Sequence, residues 1–285
     1  MKYAAIMFDV VESRKYQDRY LVQDMLIRCV DYLNDCYGEE IEKDVVSSAG
    51  DEFQGLFKNL ESAFLYIRKL QLLIYPVKVR CGIGYGEIKY NIEKWASSAI
   101  DGEAYYLARD AIREIGSRRG NSICFNTGSQ YDKYLNLFCE SDMRTKSWQS
   151  QIACLIELIA DLMMPIVQKK EEKMFYEELF GIRLSLIEKE KWNRVSTRYK
   201  DTAILNINTE LLFEMQNVFS TKGERKKLFY YDEFWARGMS TDIAQIMNTT
   251  RQNIDRYISL GKIKESRTMD KYIYELLGEK TWQIY

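Results

Sequence analysis

Apolar residues run almost unbroken through "YAAIMFDVV" (3–11), a stretch of strand length that ends near an aspartate. In "QDRYLVQDMLIRCVDYLNDCYG" (17–38) they recur at Leu21, Met25, Ile27, Val30 and Leu33, which is helical spacing, and Gly38 is the expected C-cap. "IEKDVVSSAGDEFQGLF" (41–57) predicts strand, turn and strand, with the turn at Ala49-Gly50-Asp51. "NLESAFLYIRKLQLLI" (59–74) is a second amphipathic helix and "VKVRCGIGYGEI" (77–88) a glycine-rich strand. "DGEAYYLARDAIREI" (101–115) is a third helix with Asp101 near its start, and "NSICFN" (121–126) a short last strand. The order is β-α-β-β-α-β and then α-β. Its first six elements match the split βαβ, ferredoxin-like plan. The expectation is an α+β fold with a central antiparallel sheet carrying helices on one face.

Beyond about residue 145 the pattern changes. Helical periodicity dominates from Ser147 to Phe219, glycine is nearly absent, and Pro165 is placed to end or kink the helix in "SWQSQIACLIELIADLMMPIVQ". From Thr221 a compact helical unit follows. The predicted partition is therefore 1–145, 146–220 and 221–285, in line with ordinary domain lengths for 285 residues.

Composition narrows the chemistry. The net charge of −1 advertises no polyanion partner for the chain as a whole, although residues 221–285 hold 12 Lys+Arg against 9 Asp+Glu. No run approaches the roughly 18 apolar residues of a membrane span. Asp9 and Glu12 interrupt the N-terminal apolar run, which therefore fits a first strand better than a signal peptide. Six scattered cysteines without a CxxC pair fit reduced residues in a cytoplasmic protein. Histidine is absent, which excludes His-assisted triads and His-ligated zinc. Catalysis, if any, rests on carboxylates, Lys/Arg, hydroxyls, thiols or a hard metal ion.

Three acids stand out. Asp9 lies toward the end of the first predicted strand, and Asp51 and Glu52 lie at the tip of the following hairpin. In a split βαβ sheet these strands are neighbours, so the acids can converge although some 40 residues separate them. Grouped carboxylates repel unless a cation neutralises them, and without histidine the fitting ion is Mg²⁺ or Mn²⁺, shared with substrate phosphates. The alternative is a solvated turn. Arg14, Lys15 and Arg19 either meet triphosphate charge or begin the first helix in solvent. The glycines of "GIGYG" sit inside a strand and do not open a helix, so they are no dinucleotide fingerprint; they let a backbone or a ligand approach closely.

The segments "FDVVES", "AGDEFQGLF" and "VRCGIGYGEI" resemble the palm domain of class III nucleotide cyclases and GGDEF-type diguanylate cyclases. "DVVESRKYQDRYLVQ", "GDEFQGLF", "RCGIGYGEI" and "DGEAYYLARDAI" together resemble the SatD family more closely. These are bacterial proteins with a cyclase-like N-terminal region and, commonly, a C-terminal helix-turn-helix. The resemblance covers residues 1 to about 126 and implies a palm domain, a helical connector and a helix-turn-helix domain for the three predicted parts. It further implies metal ligation by Asp9, the Val10 carbonyl and Asp51, with Glu52 as helper. Gly50 would let triphosphate approach the turn, and Arg109 would steady phosphate in a transition state. Where cyclases carry an Asn four residues before that Arg, this chain has Tyr105.

In the C-terminal part, "STDIAQIMN" and "TTRQNIDRYISLGKI" predict two short helices, capped by Ser240 or Thr241 and by Thr249 or Thr250. Ile243, Ala244, Met247, Ile254 and Ile258 would form their shared core. That leaves Arg251, Gln252, Asn253 and Arg256 exposed early on the second helix, residue types suited to phosphates and base edges of double-stranded DNA. The alternative is a helical hairpin for dimerisation. The functional expectation is a cytoplasmic homodimeric regulator that couples a metal- and nucleotide-binding domain to DNA. Its rival is an enzyme making a cyclic or linked nucleotide, with the C-terminal helices used for oligomerisation.

Overall fold

The computed structural model describes residues 1–88, 102–116, 120–189, 207–223 and 235–278. Among these the chain is a mixed α+β protein with five strands and ten α-helices. The expected helix start at Asp101 lies outside the described residues. No described helix is long and apolar enough to cross a membrane. Backbone contacts divide the chain into two units, one formed by Met1–Ser147 together with the stretch from Met269, the other by Trp148–Thr268.

The first unit holds β1 (Lys2–Val10), a 3₁₀ turn (Ser13–Lys15), α1 (Arg19–Cys36), β2 (Ile41–Ala49), β3 (Glu52–Phe57), α2 (Leu60–Leu73), β4 (Val79–Glu87), α3 (Glu103–Ile115), β5 (Ser122–Asn126) and α4 (Asp132–Ser147). Through β5 this is the element order the periodicity predicts. Helix α1 ends one residue earlier than its glycine suggests: Tyr37 is the C-cap and its N–H bonds Leu33. The sheet runs β2-β3-β1-β4-β5, antiparallel except for the parallel β4–β5 pair.

Helices cover both faces of the sheet, not one. Strand β1 is buried throughout most of its length, so its even and odd side chains feed separate cores. Phe8 stacks on Phe53 of β3, and Phe57 and Phe125 meet Tyr66 and Phe64 of α2. On the opposite face Tyr3, Ala5 and Met7 pack with Ala104, Tyr105 and Ala108 of α3. Strand β4 makes room for that helix. A Cβ at Gly82 would stand 2.8 Å from the Ile112 nitrogen, and one at Gly84 would stand 2.9 Å from the Leu107 Cβ; both would also strike α3 carbonyl oxygens. The close approach that "GIGYG" permits is therefore that of the α3 backbone.

Two asparagines complete the edges. Where the β2–β3 register slips, Asn34 of α1 pairs with both the N–H and the C=O of Val45. At the far edge, Asn136 of α4 does the same for Phe125 of β5. Each supplies the donor and acceptor that a neighbouring strand would have supplied.

The second unit holds α5 (Gln151–Met163), α6 (Lys173–Lys189), α7 (Thr209–Gly223), α8 (Met239–Ile246), α9 (Arg251–Leu260) and the first turns of α10 (Ile263–Gly278). Helix α5 is buried from Ala153 through Met163 and its C-cap, Met164, immediately precedes Pro165. Asp161 on α5 is buried with Arg267 of α10, which also donates to the Met164 carbonyl at 2.5 Å. The last turns of α10 belong to the first unit. There Asp270 accepts from Arg68 of α2 at 2.5 Å and from Lys146 of α4 at 2.8 Å, all three largely buried.

Candidate functional site

Strand β1 is central in the sheet, so its last residues meet partners on both sides. Asp9 is the direct cross-strand partner of Glu52 on β3 and of Arg80 on β4, and Arg80 is in turn level with Ser122 on β5. Directly paired residues project to the same face. A polar row, Glu52–Asp9–Arg80–Ser122, thus crosses four strands on the face that α3 covers. One pair of residues further along, the row is Gln54, Met7, Gly82 and Cys124, and the core begins.

Within this row Arg80 holds Asp9 by a fork. Its Nε donates to one carboxylate oxygen at 2.8 Å and a terminal nitrogen donates to the other at 2.7 Å. The other terminal nitrogen donates to the carbonyl of Gly116, which caps α3. The pair is only partly screened by solvent, with side chains 24% and 16% exposed. A bidentate, charge-assisted pair of this kind is stronger than an exposed ion pair.

The turn stands beside the row. Gly50 has φ +63° and is exposed, with nothing within 4 Å of where a Cβ would be. That left-handed conformation favours glycine, and the surrounding space leaves the turn backbone approachable. Asp51 follows half-buried and Glu52 exposed. Val10 is buried and paired with Val79, while Arg14 is exposed in the 3₁₀ turn after β1. Arg109 is exposed on α3; the guanidinium on Asp9 is that of Arg80. Tyr105 is 1% exposed and part of the sheet core.

The row fits a hard divalent ion on one condition. Among the described residues no group of three or more acids or thiols is placed to hold a metal ion together. Mg²⁺ commonly takes only one or two carboxylates, however, and keeps several waters or shares substrate phosphates. Asp9 and Glu52 supply two carboxylates on adjacent strands, provided Arg80 releases Asp9. Arg80 itself escapes periodicity and motif reading. Its signal is a charge near the start of a largely apolar strand, and that signal has no meaning until the register is known.

The second candidate site lies in the other unit. Ile243, Ala244 and Met247 of α8 and its cap are buried, as are Ile254 and Ile258 of α9. Helix α8 begins at Met239 with Gly238 as its cap, which has φ +94° and supplies no side-chain hydrogen bond; the cap lies two residues before Ser240 and three before Thr241, the caps expected from the sequence. Between the helices Asn248 has φ +48°, and the Thr249 N–H bonds the Ala244 carbonyl at 2.9 Å. Thr250 caps α9 by accepting from the Asn253 N–H. Arg251, Gln252, Asn253 and Arg256 are all exposed. Arg251 also reaches Asp255 at 3.3 Å, and the Asn253 amide donates to Thr249.

No curated protein matches this chain. The model of the SatD family matches residues 3–204, more than half of the chain and all of the sheet. By that match, and in keeping with the "GDEFQGLF" turn and the glycine-rich strand, the chain belongs to the SatD family.

Proposed function

We propose that this protein is a cytoplasmic regulator that binds a nucleoside triphosphate with Mg²⁺ or Mn²⁺ at the polar row and double-stranded DNA through α9, acting as a homodimer. The observation that carries the reading is the cross-strand opposition of Asp9 and Glu52 beside an open glycine turn. The strand order β2-β3-β1-β4 is the order expected of a split βαβ, ferredoxin-like sheet and supports a palm-type domain of the cyclase/GGDEF kind. A divalent ion there would neutralise phosphate charge. Asp9 and Glu52 would orient it, and the Gly50 turn would admit the phosphates.

Binding is favoured over turnover by Tyr105. It stands where cyclases present an Asn to the nucleotide, and it is packed into the sheet. The DNA arm of the proposal rests on the α8–α9 core, which turns Arg251, Gln252, Asn253 and Arg256 outward at the start of α9. The test is a melting series with each NTP and Mg²⁺ or Mn²⁺, read in parallel by mass spectrometry. A metal-dependent rise in Tm without a new phosphodiester supports a sensor. A cyclic or linked product supports the enzyme reading, and no rise with any NTP rejects the site.

A further inference from the structure

We infer that Arg80 is an exchange residue. It neutralises Asp9 until a divalent cation takes that carboxylate, and it then passes to the phosphates that arrive with the cation. This inference rests on the metal–nucleotide reading of the polar row.

Charge and geometry carry it. Asp9, Asp51 and Glu52 with Arg80 sum to a formal charge of −2. Both Asp9 oxygens are engaged by the Arg80 fork at 2.7 and 2.8 Å, so a cation that binds this carboxylate competes with the guanidinium for it. With a divalent ion added the four groups sum to zero, and a guanidinium displaced from Asp9 has lost the acceptor of its fork. A triphosphate restores one, because phosphate oxygens accept the same planar fork as a carboxylate. The move required is small. Arg80 stays tied to the Gly116 carbonyl through its other terminal nitrogen, and its side chain is a quarter exposed, facing the polar end of the sheet. The same residue therefore opposes binding of the bare metal and favours binding of the metal with phosphate.

The experiment uses the full chain and two probes, Mn²⁺ alone, followed by electron paramagnetic resonance of the free ion, and inorganic tripolyphosphate with Mg²⁺, followed by calorimetry. Arg80→Gln should bind Mn²⁺ about tenfold tighter than wild type and Mg²⁺-tripolyphosphate about tenfold more weakly, an order of magnitude set by one charge-assisted pair. Arg80→Lys keeps the charge without the fork and should fall between them for both probes. It also serves if the glutamine variant folds poorly. Equal Mn²⁺ affinity in wild type and both variants overturns the exchange but leaves the metal site standing. Tighter binding of both probes by Arg80→Gln makes Arg80 a blocker only, and likewise overturns it. Failure of every protein to bind Mn²⁺ rejects the metal reading itself, and the exchange with it.

Discussion

Gly84 of β4 lies directly beneath Ala104 of α3, so closely that a Cβ on Gly84 would run into the Ala104 carbonyl oxygen. The obstacle is backbone, which cannot rotate away. Gly84→Ala and Gly82→Ala should each lift α3 from the sheet and cost about 3 kcal/mol or more, at the upper end of overpacking effects. Gly120→Ala, with open space and no unusual φ, should stay within about 0.5 kcal/mol of wild type. Urea denaturation of the three variants checks the contrast.

Asp9 in the polar row and Asp51 in the turn beside it make a second expectation. If Asp9 and Asp51 serve a metal–nucleotide complex, Asp9→Asn and Asp51→Asn should each remove most of the rise in Tm that Mg²⁺ and NTP produce. Differential scanning fluorimetry of the two variants measures this. Unchanged shifts in both would place the nucleotide elsewhere.

Asp270 ties α10 to α2 and α4 of the same unit. Burial alone would push its carboxyl up, but Arg68 and Lys146 outweigh burial and hold it below the ordinary range. A carboxyl whose folded pKa lies below its unfolded value of about 3.9 contributes stability above that value and loses it as pH falls through the folded pKa. Asp270→Asn should therefore cost about 3–5 kcal/mol at neutral pH, by removing the buried carboxylate that Arg68 and Lys146 share. The difference from wild type should shrink below about pH 4. Urea melts at pH 7 and at pH 3 test both parts.

Asn136 acts as a surrogate strand for Phe125 at the β5 edge. Asn136→Ala removes two hydrogen bonds and should cost about 2 kcal/mol. Hydrogen exchange should quicken at the Phe125 amide before it does so in β1, which is paired on both sides.

On α9, Arg251→Ala with Arg256→Ala should abolish duplex binding and lower its salt slope by about 2, one per lost phosphate contact. Asp255→Asn should do the opposite. It frees Arg251 from an exposed ion pair worth under about 1 kcal/mol and removes a negative charge beside it. A salt series of anisotropy measurements on the protein's own promoter region covers all three. Equal slopes for wild type and the double variant would turn α8–α9 into an oligomerisation hairpin.

Much of this protein is written locally in its sequence. Short apolar runs bounded by turn residues and the 3.6-residue period of helices are properties of single segments, and they mark β1 through β5 and the helices between them. Thr250 as a cap, and Ile243, Met247, Ile254 and Ile258 as a core, follow from spacing within some 20 residues. The nearness of Asp9 to the Gly50 turn follows from a hairpin whose second strand neighbours the first. What the sequence by itself could not decide depends on register and on which face is covered. Arg80 meets Asp9 across 71 positions, and a slip of one residue would send either side chain to the opposite face. Strand β1 is apolar on both sides, so its pattern carries no information about where α3 packs; the backbone-deep glycines of β4 select that face. Asp270 meets Arg68 and Lys146 from the far end of the chain, a pairing across 202 and 124 positions. Those pairings exist only where distant segments meet, and tertiary structure alone sets them.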